Sequence, residues 1–155
     1  MDREPAPEQT AAEVRRAAMN LLARREYARA ELSRRLMGRD LPAELVATVL
    51  DDLVAENLLS DARFAESFIA ARAARGQGPL RIRRELEERG VGGELIDIAF
   101  DEAGTDWRAA AMAVRRKRFG PAAPADFPEK ARQMRFLQYR GFEPGEIRAA
   151  VGEDD

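Results

Sequence analysis

The sequence predicts an all-α protein of three tandem three-helix repeats, packed into an elongated, curved array. Three observations carry that expectation. Val, Ile and Thr together supply only fifteen of 155 residues, while Ala, Leu, Arg and Glu dominate, a composition that favours helix over strand. Apolar residues stand at i, i+4 spacing, as in Leu32/Leu36 and Ile82/Leu86, which puts each pair on one helix face. A pattern of six columns then returns at intervals of 50 and 51 residues.

The columns start from Leu36, Leu86 and Leu137. Three residues later stand Arg39, Arg89 and Arg140, then Asp40, Gly90 and Gly141, then the apolar Leu41, Val91 and Phe142. Further on come Val46, Ile96 and Ile147, and finally Leu50, Phe100 and Val151. Each anchor leucine closes one helix, and the last two columns, again i, i+4, mark the face of the next. Gly90 and Gly141 suit the left-handed residue that ends a helix, a conformation that Asp40 tolerates less readily. Each repeat therefore holds two helices facing one another across a short turn, preceded by a third.

In chain order, an acidic, Pro-rich segment over residues 1–9 reads as a disordered tail with neither the charged nor the apolar region of a signal peptide. The first repeat spans 10–59. Its leading helix is expected from about Ala11 to Arg25, with Thr10 and Glu13 as a capping box. The second repeat, 60–104, opens with Ser60 or Asp61 capping a helix that carries Phe64, Phe68 and Ile69. Arg75-Gly76-Gln77-Gly78-Pro79 reads as a tight turn between helices; no Gly-Lys-Ser/Thr follows, so it is no phosphate cradle. The third repeat, 105–152, opens with Thr105 or Asp106 capping a helix through Trp107, Ala111 and Val114, which Gly120-Pro121 stops. A flexible connection is expected over Gly120–Asp126, and an acidic end at 153–155. Pro79, Pro128 and Pro144 stand where first helical turns begin.

Composition excludes several classes of function. Cysteine and histidine are both absent, which removes thiolate and Ser-His-Asp catalysis and nearly every zinc site, and fits a reducing, cytoplasmic setting. No apolar run approaches the roughly 20 residues of a membrane span. Adjacent carboxylates such as Asp51-Asp52 diverge on a helix and do not converge on a site. No catalytic, metal or cofactor-binding residue is expected, and the chain reads as a binding protein and not an enzyme. The net charge of −2 suits a protein partner more than naked DNA.

Two basic groups are the candidate contact residues. Arg72, Arg75 and Arg81 gather around the turn before residue 80, although Arg81/Glu85, Arg83/Glu87 and Arg84/Glu88 are spaced to pair within the helix. Arg115, Arg116, Lys117 and Arg118 form the densest uncompensated run, at a helix end whose dipole they also complement. Lys130, Arg132, Arg135 and Arg140 lie near Phe136, Tyr139 and Phe142. Phe136 and Phe142 read as core and Tyr139 as free to reach out. Phe64, Phe68, Phe100 and Trp107 read as core.

The second repeat carries a resemblance. Ser60-Asp61-Ala62-Arg63-Phe64-Ala65-Glu66-Ser67-Phe68, then Arg72, Arg75-Gly76-Gln77-Gly78-Pro79 and Ile82-Arg83-Arg84-Glu85-Leu86 with Gly90-Val91, resembles the signature of the RecX family. Leu21-Leu22-Ala23-Arg24-Arg25-Glu26-Tyr27 with Ala30-Glu31-Leu32 is similar to that family's first repeat. Lys117-Arg118-Phe119-Gly120 and Phe136-Leu137-Gln138-Tyr139-Arg140-Gly141-Phe142 are similar to its third. The resemblance implies a regulator that binds RecA and the RecA filament on single-stranded DNA; a monomer is the default expectation for the chain. It also implies inhibition of filament growth, ATP hydrolysis, strand exchange and repressor co-cleavage in recombination, DNA repair and the SOS response. It gives Asp61, Phe64, Phe68, Gly76, Gly78, Pro79, Ile82, Leu86, Gly90 and Gly141 structural parts, and no cofactor. The alternative reading is a direct nucleic-acid binder whose three-helix units work as helix-turn-helix modules.

Overall fold

The computed structural model describes residues 7–152. Among them are nine helices and no strand: α1 (Pro7–Leu22), α2 (Arg29–Met37), α3 (Ala43–Ala55), α4 (Asp61–Ala74), α5 (Pro79–Glu88), α6 (Gly93–Ala103), α7 (Trp107–Phe119), α8 (Phe127–Arg140) and α9 (Pro144–Ala150). Of the expected tail, residues 1–6 lie outside the described residues, as does the acidic end at 153–155. Residues 7–9 belong to α1, so the expected start near Ala11 is late and Thr10 lies inside the helix instead of capping it. Ser60 and Asp106 do cap α4 and α7, accepting from the N–H groups of Arg63 and Ala109.

The helices group in threes, each group around its own core. The first closes on Val14, Leu21, Leu32, Leu36, Val46, Leu50 and Leu53. The second closes on Phe64, Phe68, Ile69, Ile82, Leu86, Val91 and Ile96, and the third on Ala111, Leu137, Phe142, Ile147 and Val151. The repeat columns explain this. Leu36, Leu86 and Leu137 are each fully buried, as are Val46 and Ile96. Truncating any of these leucines to alanine costs about 2–5 kcal/mol. The closest helix pairs are first with third in every unit, α1 with α3, α4 with α6 and α7 with α9.

The glycine column joins the units. Asp40, Gly90 and Gly141 have φ of 59°, 83° and 98°, so all three end their helices left-handed as the sequence predicts. The last two also face the preceding unit. A Cβ on Gly90 would come within 2.5 Å of the Ala30 Cβ on α2, and one on Gly141 would run into Arg81 at the start of α5. The same docking is thus used twice: the turn of one unit seats on the first turn of the middle helix of the unit before it. Among the described residues no unit stands before the first, so position 40 needs only the conformation and not the clearance, and aspartate serves.

The helix starts tell the same story from the other side. The N-caps of α2 and α5, Ala28 and Gly78, bring no side-chain cap. Their free N–H groups are completed by the next unit: Arg29 N–H donates to Asp61 Oδ1 (2.8 Å), and Leu80 N–H to the Gly141 carbonyl (2.9 Å). The start of α8 is capped within its own unit, Asp126 Oδ1 accepting from Glu129 N–H at 2.9 Å.

Candidate interaction surface

The second and third units meet along α4, α5, α7 and α8. Gly78 N–H donates to the Arg140 carbonyl at 2.8 Å, which brings the two main chains into contact; any side chain at Gly78 would overlap the Gly141–Phe142 backbone. Trp107 opens α7 and packs against both cores, its ring 6.0 Å from that of Phe100. These contacts fix the C-terminus of α4 against the last turns of α7 and α8.

Between those ends lies a cleft of about 400 Å³. Its floor is apolar, with Ala73, Ala110, Ala113, Val114 and Phe136; its rim carries Arg75, Lys117, Arg118 and Arg140, and no carboxylate lines it. Phe136 meets Phe119 edge-on at 5.3 Å, and the guanidinium groups of Arg118 and Arg140 lie 5.7 and 5.2 Å from its centroid. Arg140 Nη1 also donates to the Arg75 carbonyl at 3.3 Å.

A second cleft, of about 350 Å³, lies between the first two units and is lined by Arg25, Glu26, Glu31, Arg72, Arg75 and Arg89. Here all the cations but Arg75, which lines both clefts, are ion-paired. Arg25 and Arg89 both pair with Glu31, and Arg72 with Glu85. Two grooves of similar size thus differ in kind, one an ion-paired seam and the other a cationic rim without counter-charge.

The candidate contact residues divide accordingly. Arg75, Arg116, Lys117 and Arg118 are all exposed, and Arg75, Lys117 and Arg118 line the cationic cleft, which Arg116 does not. Arg72 is tied to Glu85 at 3.4 Å and lies over Phe68, and Arg81 is tied to the same carboxylate at 3.6 Å. Arg115 departs from expectation altogether. It is 5 % exposed and donates to the Ala122 carbonyl and to Gln133 Oε1, so it pins the connection before α8 and presents nothing to a partner. The 120–126 connection is therefore anchored at its middle. Of the three expected pairs along α5, Arg81–Glu85 forms, whereas Arg83 reaches across to Asp97 of α6 at 2.6 Å.

The residues of the repeat signature take structural places. Asp61 caps the neighbouring α2, Phe64 and Phe68 stack at 5.5 Å in the second core, Pro79 opens α5, and Ile82 and Leu86 are fully buried. Gly76 sits close to Val114 of the third unit, where a Cβ would come within 3.2 Å. Arg140, which the sequence groups with Lys130, Arg132 and Arg135, is the member of that group that lines the cationic cleft. Its column was the signal, since Arg89 likewise reaches the preceding unit, at Glu31. One buried acid stands apart: burial raises the pKa of Glu146, against the pull of its hydrogen bond from Glu143 N–H. Among the described residues no helix is long and apolar enough to cross a membrane.

Comparison with known proteins places this architecture. Family models described as the first, second and third three-helix domains of RecX match residues 15–53, 60–99 and 106–151. The regulatory protein RecX of Halorhodospira halophila is 49% identical over 142 residues, 92% of this chain and 88% of that protein. The regulatory protein RecX of Pseudomonas syringae pathovar tomato is 44% identical over 154 residues, 97% and 99% of the two chains. The crystal structure of RecX from Lactobacillus salivarius superposes with a TM-score of 0.78 at 18% identity, over 94% of this chain and 97% of that one. That likeness extends the shared fold well beyond the level at which sequences resemble each other. With three tandem matches spanning its three units, the chain belongs to the RecX family of regulatory proteins.

Proposed function

We propose that this protein restrains the RecA recombinase, binding it or its filament on single-stranded DNA and limiting filament growth. Inhibition of ATP hydrolysis, strand exchange and co-protease activity would follow in recombination, DNA repair and the SOS response. It acts by occupying a surface and not by catalysis, and works in the cytoplasm, where that partner is found. Family membership supports the regulatory role. The single observation that supports the contact face is the set of exposed cations, Arg75, Arg116, Lys117 and Arg118, with no carboxylate lining the cleft beside them. Carried on formed helix ends, they present positive charge without any backbone segment having to fold on binding, which favours an acidic protein surface or the phosphates of a nucleoprotein filament. Arg72 and Arg81, held by Glu85, are secondary contacts.

The test is titration of the protein into its own organism's recombinase on single-stranded DNA, following ATP hydrolysis. A progressive fall at substoichiometric amounts supports blocked filament growth; a fall only near one protein per subunit supports groove occupancy. No fall sinks the reading. Direct nucleic-acid binding is the second reading, favoured by the same cationic run. It predicts tight, salt-sensitive affinity for DNA with no recombinase present.

A further inference from the structure

We infer that the cleft between the second and third units is a docking slot for one apolar side chain of an acidic peptide segment. The carboxylates flanking that side chain would sit on Arg75, Lys117, Arg118 and Arg140. This deepens the proposed function by assigning the partner chemistry of that face.

Floor and rim each narrow the choice. Ala73, Ala110 and Ala113 leave a shallow, small-residue surface that Val114 and Phe136 extend, and about 400 Å³ accommodates a leucine- or phenylalanine-sized anchor with neighbouring backbone. Four cations converge on that space without a carboxylate among the lining residues. The groove between the first two units is the internal control. There, three of the four cations lining a cleft of similar size are answered by carboxylates of this same chain, Arg25 and Arg89 by Glu31 and Arg72 by Glu85, and the fourth is Arg75, which both clefts share. In the cationic cleft no lining carboxylate answers the charge, and an acidic partner would complement it.

Two observations favour a peptide over a nucleic-acid strand. The aromatic residue of the floor, Phe136, is already engaged by Phe119, Arg118 and Arg140, so no free ring is offered to a base. The chain also carries a net charge of −2, which opposes long-range attraction of a polyanion while leaving a local, apolar-plus-ionic contact intact.

The experiment uses the full chain and two probes. One is a fluorescein-labelled peptide with a single leucine flanked on each side by two aspartates; the other is an oligothymidylate. Ala113→Trp fills the slot from an exposed helix position without touching a charge, and Arg75→Ser/Lys117→Ser removes charge without filling it. Unfolding curves confirm that both variants keep the wild-type fold. The wild type is expected to bind the peptide saturably, and each variant to lose about tenfold or more in affinity, the size of a central contact. Replacing the peptide's leucine by serine should weaken binding as much as Ala113→Trp does. Absence of peptide binding, or binding that Ala113→Trp leaves unchanged, overturns the inference. So does binding of the oligothymidylate alone. The peptide assay contains no recombinase, so its outcome is separate from the inhibition test. Inhibition that survives Ala113→Trp rejects the slot and spares the function, whereas peptide binding by a protein that does not inhibit does the reverse.

Discussion

Where the second unit meets the first, side chains make most of the polar contacts. Asp61 accepts from Arg29 N–H, Glu31 holds Arg89, Glu26 holds Arg63, and Arg34 donates to the Glu88 carbonyl. Where the third unit meets the second, the main chains themselves are bonded, Gly78 to Arg140 and Leu80 to Gly141, with glycine on both sides of the contact. The docking geometry is the same and the chemistry is not. Main-chain contact tolerates no added Cβ but is indifferent to salt. The side-chain seam admits some substitution and weakens as ions screen it. The comparison also accounts for where the cationic cleft lies: it needs walls held rigidly enough to keep four like charges together, and the main-chain junction supplies them.

The left-handed column separates the two junctions by a single kind of substitution made at three equivalent sites. Gly141→Ala carries the largest expected loss, about 3 kcal/mol or more in urea unfolding, because backbone strain is added to overlap with Arg81. Gly90→Ala should cost about 2 kcal/mol, since its neighbour is a side-chain methyl. Ala30→Gly in the same chain should recover the overlap but not the strain, and a double-mutant cycle separates the two. Asp40→Ala should cost only about 1 kcal/mol, the strain alone. Equal losses at all three positions would show that docking contributes nothing at the glycines.

Smaller effects follow from single charges. Glu31→Ala removes the carboxylate shared by Arg25 and Arg89, and should cost about 1 kcal/mol at low salt and less at high salt. Glu146 supplies the smallest effect. Its carboxyl pKa is raised by burial, so the folded state holds its proton more tightly than the unfolded chain. Its contribution is therefore most favourable below the unfolded carboxylate range and is lost as pH rises through the folded value. Glu146→Gln keeps an oxygen for Glu143 N–H and should leave the midpoint unchanged in acid while raising it slightly at neutral pH.

Much of this architecture was legible in the sequence because the repeat samples each position three times. The anchor leucines, the left-handed column and the apolar i, i+4 pairs each have one physical cause, and the structure meets that cause in all three units. Charged residues were harder to place, since their partners are set by tertiary geometry. Helical spacing assigns Arg83 to Glu87, but Asp97 on α6 comes closer once the helices pack. Arg115 looks like part of a cationic run, yet it follows buried Ala111 by one helical turn and faces Gln133. That i, i+4 relation was available and was outweighed by the neighbouring charges. The cleft had no sequence signal of its own, because its walls come from α4, α7 and α8 and exist only after the units dock.

Hydrogen exchange at single amides tests the contrast between the junctions most directly. It would be measured at about 0.1 M and about 1 M salt, where screening lengths are roughly 10 and 3 Å. Arg29 N–H, bonded to a side chain across the first junction, should lose protection at the higher salt. Gly78 and Leu80 N–H, bonded to main-chain carbonyls across the second, should keep theirs. Equal loss at all three amides, or loss at Gly78 and Leu80 alone, would contradict the account.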